Sequence, residues 1–272
     1  MITREEKKMA ENVEKISVII ITKNEEDKIG RCLEHIKWVD EIVILDSNST
    51  DKTVAIAKKW TKKIYTKAFE GYGAQKQAAI EKCTNNWIFE IDADEVVTEQ
   101  LQLEITELQK VPEQMNAYAA YTITRQEYFL KKPLMISIIP RLYKKQKVAY
   151  NGEIHEELKI NGKVSHLKGE INHESDKYDT IAKRVDKGNE YTQIEAKKRI
   201  KEESWSTAKI LSKMIIMPGC YFCWFYGRKG LILKGYRGLI WSLLTAYYHF
   251  LIYAKIYEQI YKTKNPTKEN FA

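Results

Sequence analysis

The chain has 272 residues, 44% of them hydrophobic, and a formal charge of +8 from 45 Lys and Arg against 37 Asp and Glu. That suffices for one large α/β domain with an appendage, and it excludes a disordered or fibrous protein. Cys32, Cys83, Cys220 and Cys223 are too few and scattered for a disulfide framework; the lone C-x-x-C at 220–223 has no second pair to close a zinc tetrahedron, and both its thiols are expected to be buried.

The N-terminal MITREEKKMAENVEK is charged in both signs, and the first apolar run, 16–21, is too short for a signal-peptide core, so a cytoplasmic location is expected. From Ile16 two patterns alternate. ISVIIIT (16–22) is a continuous β-branched run, as a parallel strand covered on both faces requires. EEDKIGRCLEHIKW (25–38) carries Ile29, Leu33 and Ile36 at helical spacing. EIVILD (41–46) reads as a strand and STDKTVAIAKKW (49–60) as a helix, with Ser49 or Thr50 as N-cap and Asp51 near its positive end. KKIYTKAF, GAQKQAAIEKC, WIFEID and TEQLQLEITELQK repeat the strand and helix cycle. The alternation predicts a doubly wound, mostly parallel sheet whose ligands sit beyond the carboxyl ends of its strands.

After about Pro112 the pattern changes to strands at 118–128, 141–144 and 148–160, with Asn161-Gly162 as a hairpin turn, so a mixed extension of the sheet is expected. Helical periodicity takes over from about 178, first polar and then, after about 203, more apolar.

The apolar strand WIFEID runs into Asp92-Ala93-Asp94-Glu95. In an extended segment residues two apart share a face, so Asp92 and Asp94 are expected to present both carboxylates to one spot. Hard cations such as Mg2+ or Mn2+ take such oxygen ligands and keep positions open for phosphate. The strand ends Thr22-Lys23-Asn24-Glu25 and Asp46-Ser47-Asn48-Ser49-Thr50-Asp51 should converge on the same crevice. Turn formation and capping alone account for Ser49, Thr50 and Asp51 but do not require acids on all three strands.

In this order and spacing, ISVIIITKNEE, ILDSNSTDKT, GYGAQKQAAI and WIFEIDADE resemble the nucleotide-sugar-binding half of the family 2 glycosyltransferases with the GT-A fold. The resemblance is strongest to the bacterial subgroup that adds a hexose to the lipopolysaccharide inner core, and RLYKK, NGEIHEEL, INHES and AYYHFLIYAKIYE extend it to about residues 15–260. It implies an N-terminal extension (1–14), a catalytic domain (15–177) with nucleotide-sugar (15–112) and acceptor (113–177) halves, and a helical C-terminal region (178–272).

The resemblance also implies site residues. Ile21 to Glu25 would line the nucleoside pocket, with Thr22, Asn24 and Glu25 among them, and Asp46 would hold base or ribose. Gln75 and Lys76 would approach the ribose or diphosphate, Asp94 would ligate Mg2+ or Mn2+, and Asp92 would contact ribose or the metal. His173 would be a third metal ligand, with a structurally bonded histidine as the plain alternative. Arg141 would bind acceptor or diphosphate unless it forms a structural ion pair. Inverting transfer of a hexose from a nucleoside-diphosphate sugar, UDP-linked in this resemblance, needs a carboxylate base. Glu156, beside His155 where the acceptor docks, is the choice; Glu95, Glu153 and Glu157 are its rivals.

Gly238 to Ala254 carries no formal charge, is rich in tyrosine and falls short of a spanning helix. With Arg228, Lys229, Lys234 and Arg237 just upstream it reads as an in-plane helix on an anionic membrane surface, or as a packed helix or oligomer contact. A peripheral enzyme would meet a glycan or glycolipid acceptor there. A sugar nucleotidyltransferase would open with a Gly-rich basic loop where TKNEED is acidic, and a nucleic-acid-binding protein would not place carboxylates against phosphates.

Overall fold

A computed structural model describes residues 13–151, 157–173 and 180–264. They form two compact units: the residues up to Glu127 together with 136–173, and Tyr128–Met135 together with 180–264.

The first unit opens with β1 (Ile16–Thr22), α1 (Ile29–Glu34), β2 (Glu41–Asp46), α2 (Thr53–Ala57), β3 (Ile64–Thr66), α3 (Tyr72–Lys82) and β4 (Trp87–Glu90). Strands β3, β2, β1 and β4 lie side by side and parallel. Alternate residues of the β-branched run serve opposite faces: Val18 and Ile20 pack with Ile29, Leu33 and Ile36, while Ile19 packs with Ala79 and Ile80 of α3. Helices α1 and α2 are shorter than their patterns, because loop contacts occupy the residues before them. Asp51 Oδ1 accepts from Thr53 N at 3.0 Å, so Asp51, rather than Ser49 or Thr50, satisfies the start of α2.

The chain continues through β5 (Glu95–Val97), α4 (Glu99–Gln109), α5 (Pro112–Asn116), β6 (Ala120–Phe129), β7 (Lys132–Lys144), β8 (Val148–Asn151), β9 (Glu157–Ile160) and β10 (Val164–His173). Among the described residues the main sheet has the order β3-β2-β1-β4-β7-β6-β10-β5. The expected mixed extension is present: β7 runs antiparallel to β4, and β10 is parallel to β6 but antiparallel to β5. Asn161-Gly162 does not close a hairpin. It links β9, which pairs with β8 in a separate two-stranded sheet, to β10 of the main sheet. Gly162 has φ +139°, and an added Cβ would lie 2.7 Å from the Ala119 Cβ, so the turn chemistry is real although its partner strands differ.

At the amino end of β2, Glu41 accepts hydrogen bonds from Ser17 Oγ, Lys63 Nζ, Thr84 N at 2.9 Å and Thr84 Oγ1 at 2.8 Å. Burial favours the neutral acid, but the bonds from Lys63, Ser17 and Thr84 outweigh it and hold the Glu41 carboxyl down to about 2. A carboxyl depressed on folding stabilises the protein fully above its unfolded value near 4.5 and loses that contribution as pH falls towards about 2. Glu41→Gln is therefore expected to lower stability by about 2 kcal/mol at neutral pH. In urea unfolding, the gap between wild type and variant should close on acidification; a gap independent of pH would contradict this account.

The second unit contains the β6–β7 tip, α6 (Ile181–Glu202), α7 (Thr207–Cys223) and α8 (Gly235–Lys264). Thr180 and Ser206 accept from Lys183 N and Lys209 N at 3.2 Å, capping α6 and α7. Ala196, Ile210, Ile252, Tyr253 and Ile256 form the core between the three helices. Cys220 and Cys223, expected to be buried, are exposed on the last turn of α7. The uncharged stretch read as too short to span a bilayer lies within a 30-residue helix, and Leu231–Lys262 is long and apolar enough by composition to cross one. Yet α8 is not apolar all round: Lys255 Nζ bonds to Asn189 and Thr192 of α6, and Ile252 and Ile256 are buried.

Candidate active site

The acidic segment is a turn, not an extension of the strand. β4 ends at Glu90, and Glu95 N donates to Asp92 O at 3.0 Å, reversing the chain so that β5 can pair with β10. The segment is therefore not extended as expected, and its two aspartates take different partners. Asp92 points to Arg141 and Asp94 to His173.

Arg141, on β7, is the hub of one cluster. Its Nη1 donates to Glu90 at 2.7 Å and its Nη2 to Asp92 at 2.7 Å and Glu95 at 2.5 Å. Arg141 is 3% exposed and Glu95 wholly buried, whereas the Asp92 side chain is 29% exposed. Burial disfavours the charge on Asp92, but Arg141 and Lys76 outweigh it and hold the carboxyl well below the usual range. Burial pushes Glu95 up despite Arg141, with the Asp92 charge adding to the rise. Glu90 accepts Lys76 Nζ at 2.7 Å, Tyr143 Oη at 2.7 Å and Tyr150 Oη. The two terminal nitrogens of the guanidinium are thus taken by three carboxylates of its own chain, while Nε is buried without a hydrogen-bond partner among the described residues. This is the structural ion pair offered above as the alternative to a ligand contact for Arg141. Burial also removes Glu95 from contention as a base that must reach an acceptor hydroxyl.

A second array lies beside it. The strand register sets His173 opposite both Glu95 of β5 and Glu127 of β6. His173 Nδ1 meets Glu127 at 2.5 Å and Nε2 lies 3.5 Å from Asp94 Oδ1. Burial opposes a charge on the ring, but the bonds to Asp94 and Glu127 prevail and raise His173 to about 10. Arg125, two residues before Glu127 on the same face of β6, bonds to Glu127 at 2.6 Å and to Glu95 at 3.3 Å, joining the two arrays.

The tips of β1 and β2 are laced together. Thr22 lies opposite Asp46, and Ser47 N donates to Thr22 O at 2.8 Å. Asn24, with φ 53°, donates through its backbone to Ser49 Oγ at 2.9 Å and accepts from Thr50 N at 2.8 Å; Glu25 N donates to Thr53 Oγ1 at 2.8 Å. Asp46 accepts from Ser49 N at 2.8 Å and from its hydroxyl at 2.5 Å. Thr22 Oγ1 is buried without a hydrogen-bond partner among the described residues. Gln75, expected at the ribose or diphosphate, is wholly buried: its Nε2 holds Ser47 Oγ at 3.1 Å and the carbonyls of Lys67 and Ala68 at 3.1 and 2.8 Å. It supports the loop before α3 from beneath. Lys76, the next residue, reaches Glu90 instead and is mostly buried.

His155, Glu156 and Glu153 lie outside the described residues, as does the side chain of Glu157. Sequence reasoning did not single out Glu90, Arg125, Glu127, Tyr143 or Tyr150. One signal existed for two of them: Arg125 and Glu127 put opposite charges on one face of a predicted strand, a costly pattern unless that face meets other charges.

Residues 17–161 match the model of glycosyl transferase family 2. The chain belongs to that family. This glycosyltransferase is 34% identical to an uncharacterized glycosyltransferase of Rickettsia felis, over 93% of each chain. It is 30% identical to the lipopolysaccharide core biosynthesis glycosyltransferase LpsC of Rhizobium meliloti, over 90% of this chain and 92% of LpsC. Among solved structures, S. aureus TarS 1–349 aligns over 94% of this chain and 93% of its own at 15% identity, with a TM-score of 0.44.

In this glycosyltransferase Asp94 and His173 are the residues that could hold a divalent cation, His173 only once the cation displaces the proton that Nε2 shares with Asp94. Glu127 holds the opposite ring nitrogen, the support that orients a metal-binding imidazole. Asp92, named above as a ligand, is a poorer candidate because its Oδ2 is taken by Arg141. Among the described residues no group of three His, Cys, Asp or Glu could hold a metal ion. The set fits a hard cation that completes its shell with water and phosphate oxygens.

Proposed function

We propose that this glycosyltransferase moves a hexose, with inversion, from a UDP-linked donor to a hydroxyl of the lipopolysaccharide core or a related cell-surface glycan. The carrying observation is the Glu127–His173–Asp94 array at the carboxylate-rich turn, which can seat a cation where a diphosphate must leave. The full-length similarity to LpsC supports the acceptor class. Thr22, Asn24, Glu25 and Asp46 border the nucleoside, and Asp94 with His173 holds Mg2+ or Mn2+. When bound, the cation neutralises charge on the departing diphosphate.

Glu156 takes the proton from the acceptor hydroxyl as that oxygen attacks the anomeric carbon from the face opposite the leaving group. Arg141 and Lys76 keep Glu90 and Asp92 ionised and fixed, so the acidic turn does not collapse onto the substrate. The enzyme works at the inner face of the cytoplasmic membrane, supported by the basic and aromatic character of α8 and its approach.

Thermal shift with a panel of nucleotide sugars, with and without Mn2+, tests the reading. One UDP-sugar is expected to stabilise the protein in a metal-dependent manner. Stabilisation by a nucleoside triphosphate with a sugar 1-phosphate instead would make it a nucleotidyltransferase.

A further inference from the structure

The second unit encloses a cavity of about 450 Å3 among α6, α7, α8 and the π-helical segment Trp224–Arg228. Its walls are mainly aromatic. The Arg184 guanidinium lies 3.4 Å from the Trp241 ring centroid and donates to Thr245 Oγ1 at 3.4 Å. His249 stacks on Tyr221 with centroids 3.3 Å apart, and burial, helped by Arg199, holds it down to about 4, so the ring is neutral at physiological pH. The lining therefore presents few convergent hydrogen-bonding groups, which a sugar ring would need, and much apolar surface. Gly188 contributes to the wall from the middle of α6, where glycine costs a helix about 1 kcal/mol relative to alanine.

Two surface features indicate what enters. Tyr236, Leu239, Leu243, Tyr247, Phe250 and Tyr257 are exposed and recur every three or four residues or their sum, forming one apolar stripe along α8. Tyr247, 46% exposed, belongs both to this stripe and to the cavity wall, so the cavity opens beside the stripe. Between Glu203 and Glu258 the chain has seven basic residues and no acidic one. An apolar stripe preceded in the chain by Arg228, Lys229 and Lys234 complements an anionic bilayer surface.

We propose that the cavity receives a hydrocarbon tail of an anionic membrane phospholipid while α8 lies flat at the bilayer surface. This rests on the membrane location proposed above but not on the transfer reaction. Drawing one tail out of the bilayer gives a peripheral helix a stronger hold than surface contact alone, since each buried methylene contributes about 0.8 kcal/mol.

The full chain should bind a fluorescent long-chain fatty acid saturably and pellet with phosphatidylglycerol vesicles, but not with phosphatidylcholine alone. Gly188→Leu, which fills the cavity, should weaken probe binding by about tenfold or more and reduce pelleting. Gly188→Ala, whose Cβ would meet Tyr248 Cδ2 at an ordinary 3.7 Å, should behave as wild type. Leu244→Trp fills the same space from α8 should Gly188→Leu fail to fold. Transfer to a water-soluble acceptor should be unchanged in all three. Pelleting and probe binding that survive both filling variants would overturn the proposal and leave the membrane location standing. A wild type that never pellets would overturn both, and a dimer that the filling variants dissociate would assign the cavity to a second copy of the chain.

Discussion

Arg141→Gln is expected to be among the most destabilising single substitutions in the first unit. The guanidinium is 3% exposed and holds Glu90, Asp92 and Glu95, of which Glu90 and Glu95 are buried. Removing one partner of a buried ionic group costs about 3–5 kcal/mol, because the buried Glu90 and Glu95 lose the cation they share and Lys76 and Arg125 replace it only in part. At about 2–4 °C per kcal/mol for a unit of this size, thermal unfolding should move down by on the order of 10 °C. Arg125→Gln is the control: its side chain is 24% exposed, and its loss should cost about 1 kcal/mol. Adding Glu95→Gln to Arg141→Gln should restore part of the loss, since one buried charge is then gone, and a double-mutant cycle would measure that coupling. An Arg141→Gln protein that unfolds like wild type would show that the guanidinium is held for a ligand rather than for the fold.

Asp94→Asn should leave the fold intact and abolish metal-dependent donor binding, with kcat/KM falling by about 100- to 1000-fold, the scale of losing one main electrostatic support of the transition state. Asp92→Asn should behave differently. Its carboxylate is tied to Arg141, so stability should fall while Mn2+-dependent donor binding persists. Glu127→Gln touches no substrate in this reading; it positions His173, and metal affinity should weaken by about 10- to 100-fold. Isothermal titration with Mn2+ and UDP separates the three. Equal donor affinity in Asp94→Asn and wild type would remove the metal assignment, whereas loss of Mn2+ binding in Asp92→Asn alone would exchange the roles of the two aspartates.

The parallel half of the sheet was legible because its signals are local. Ile16 to Ile20 can be buried on both faces only if helices cover both, and α1 and α3 follow at helical spacing. The strand tips were equally readable, since Thr22, Asn24, Asp46 and Ser49 fall where apolar runs stop. The stretch Asp92 to Asp94 is a turn rather than an extended segment for a non-local reason. An extended continuation of β4 is locally reasonable, but the backbone bond from Glu95 N to Asp92 O and the pairing of β5 with β10, more than 70 residues distant, impose a turn. Likewise, pairing of β9 with β8 and of the start of β10 with β6 makes Asn161-Gly162 a link between two sheets rather than a hairpin. For α8, the absence of charge from 238 to 254 was visible, but tyrosine and serine hid how far the helix extends.

Composition and periodicity by themselves determined the strand and helix order of the nucleotide half, the acidic ends of its strands and the basic, aromatic character of the C-terminal helices. Hydrophobic period and turn chemistry act over a few residues, so the chain carries them openly. Tertiary structure alone decided which carboxylate faces which cation. Arg141 could bind a phosphate or three acids, and His173 a metal or a carbonyl, until β7, β6 and β10 placed them beside Glu90, Asp94 and Glu127. Charge pairing is a matter of a few ångströms between residues far apart in the chain, and only the register of distant strands supplies that distance.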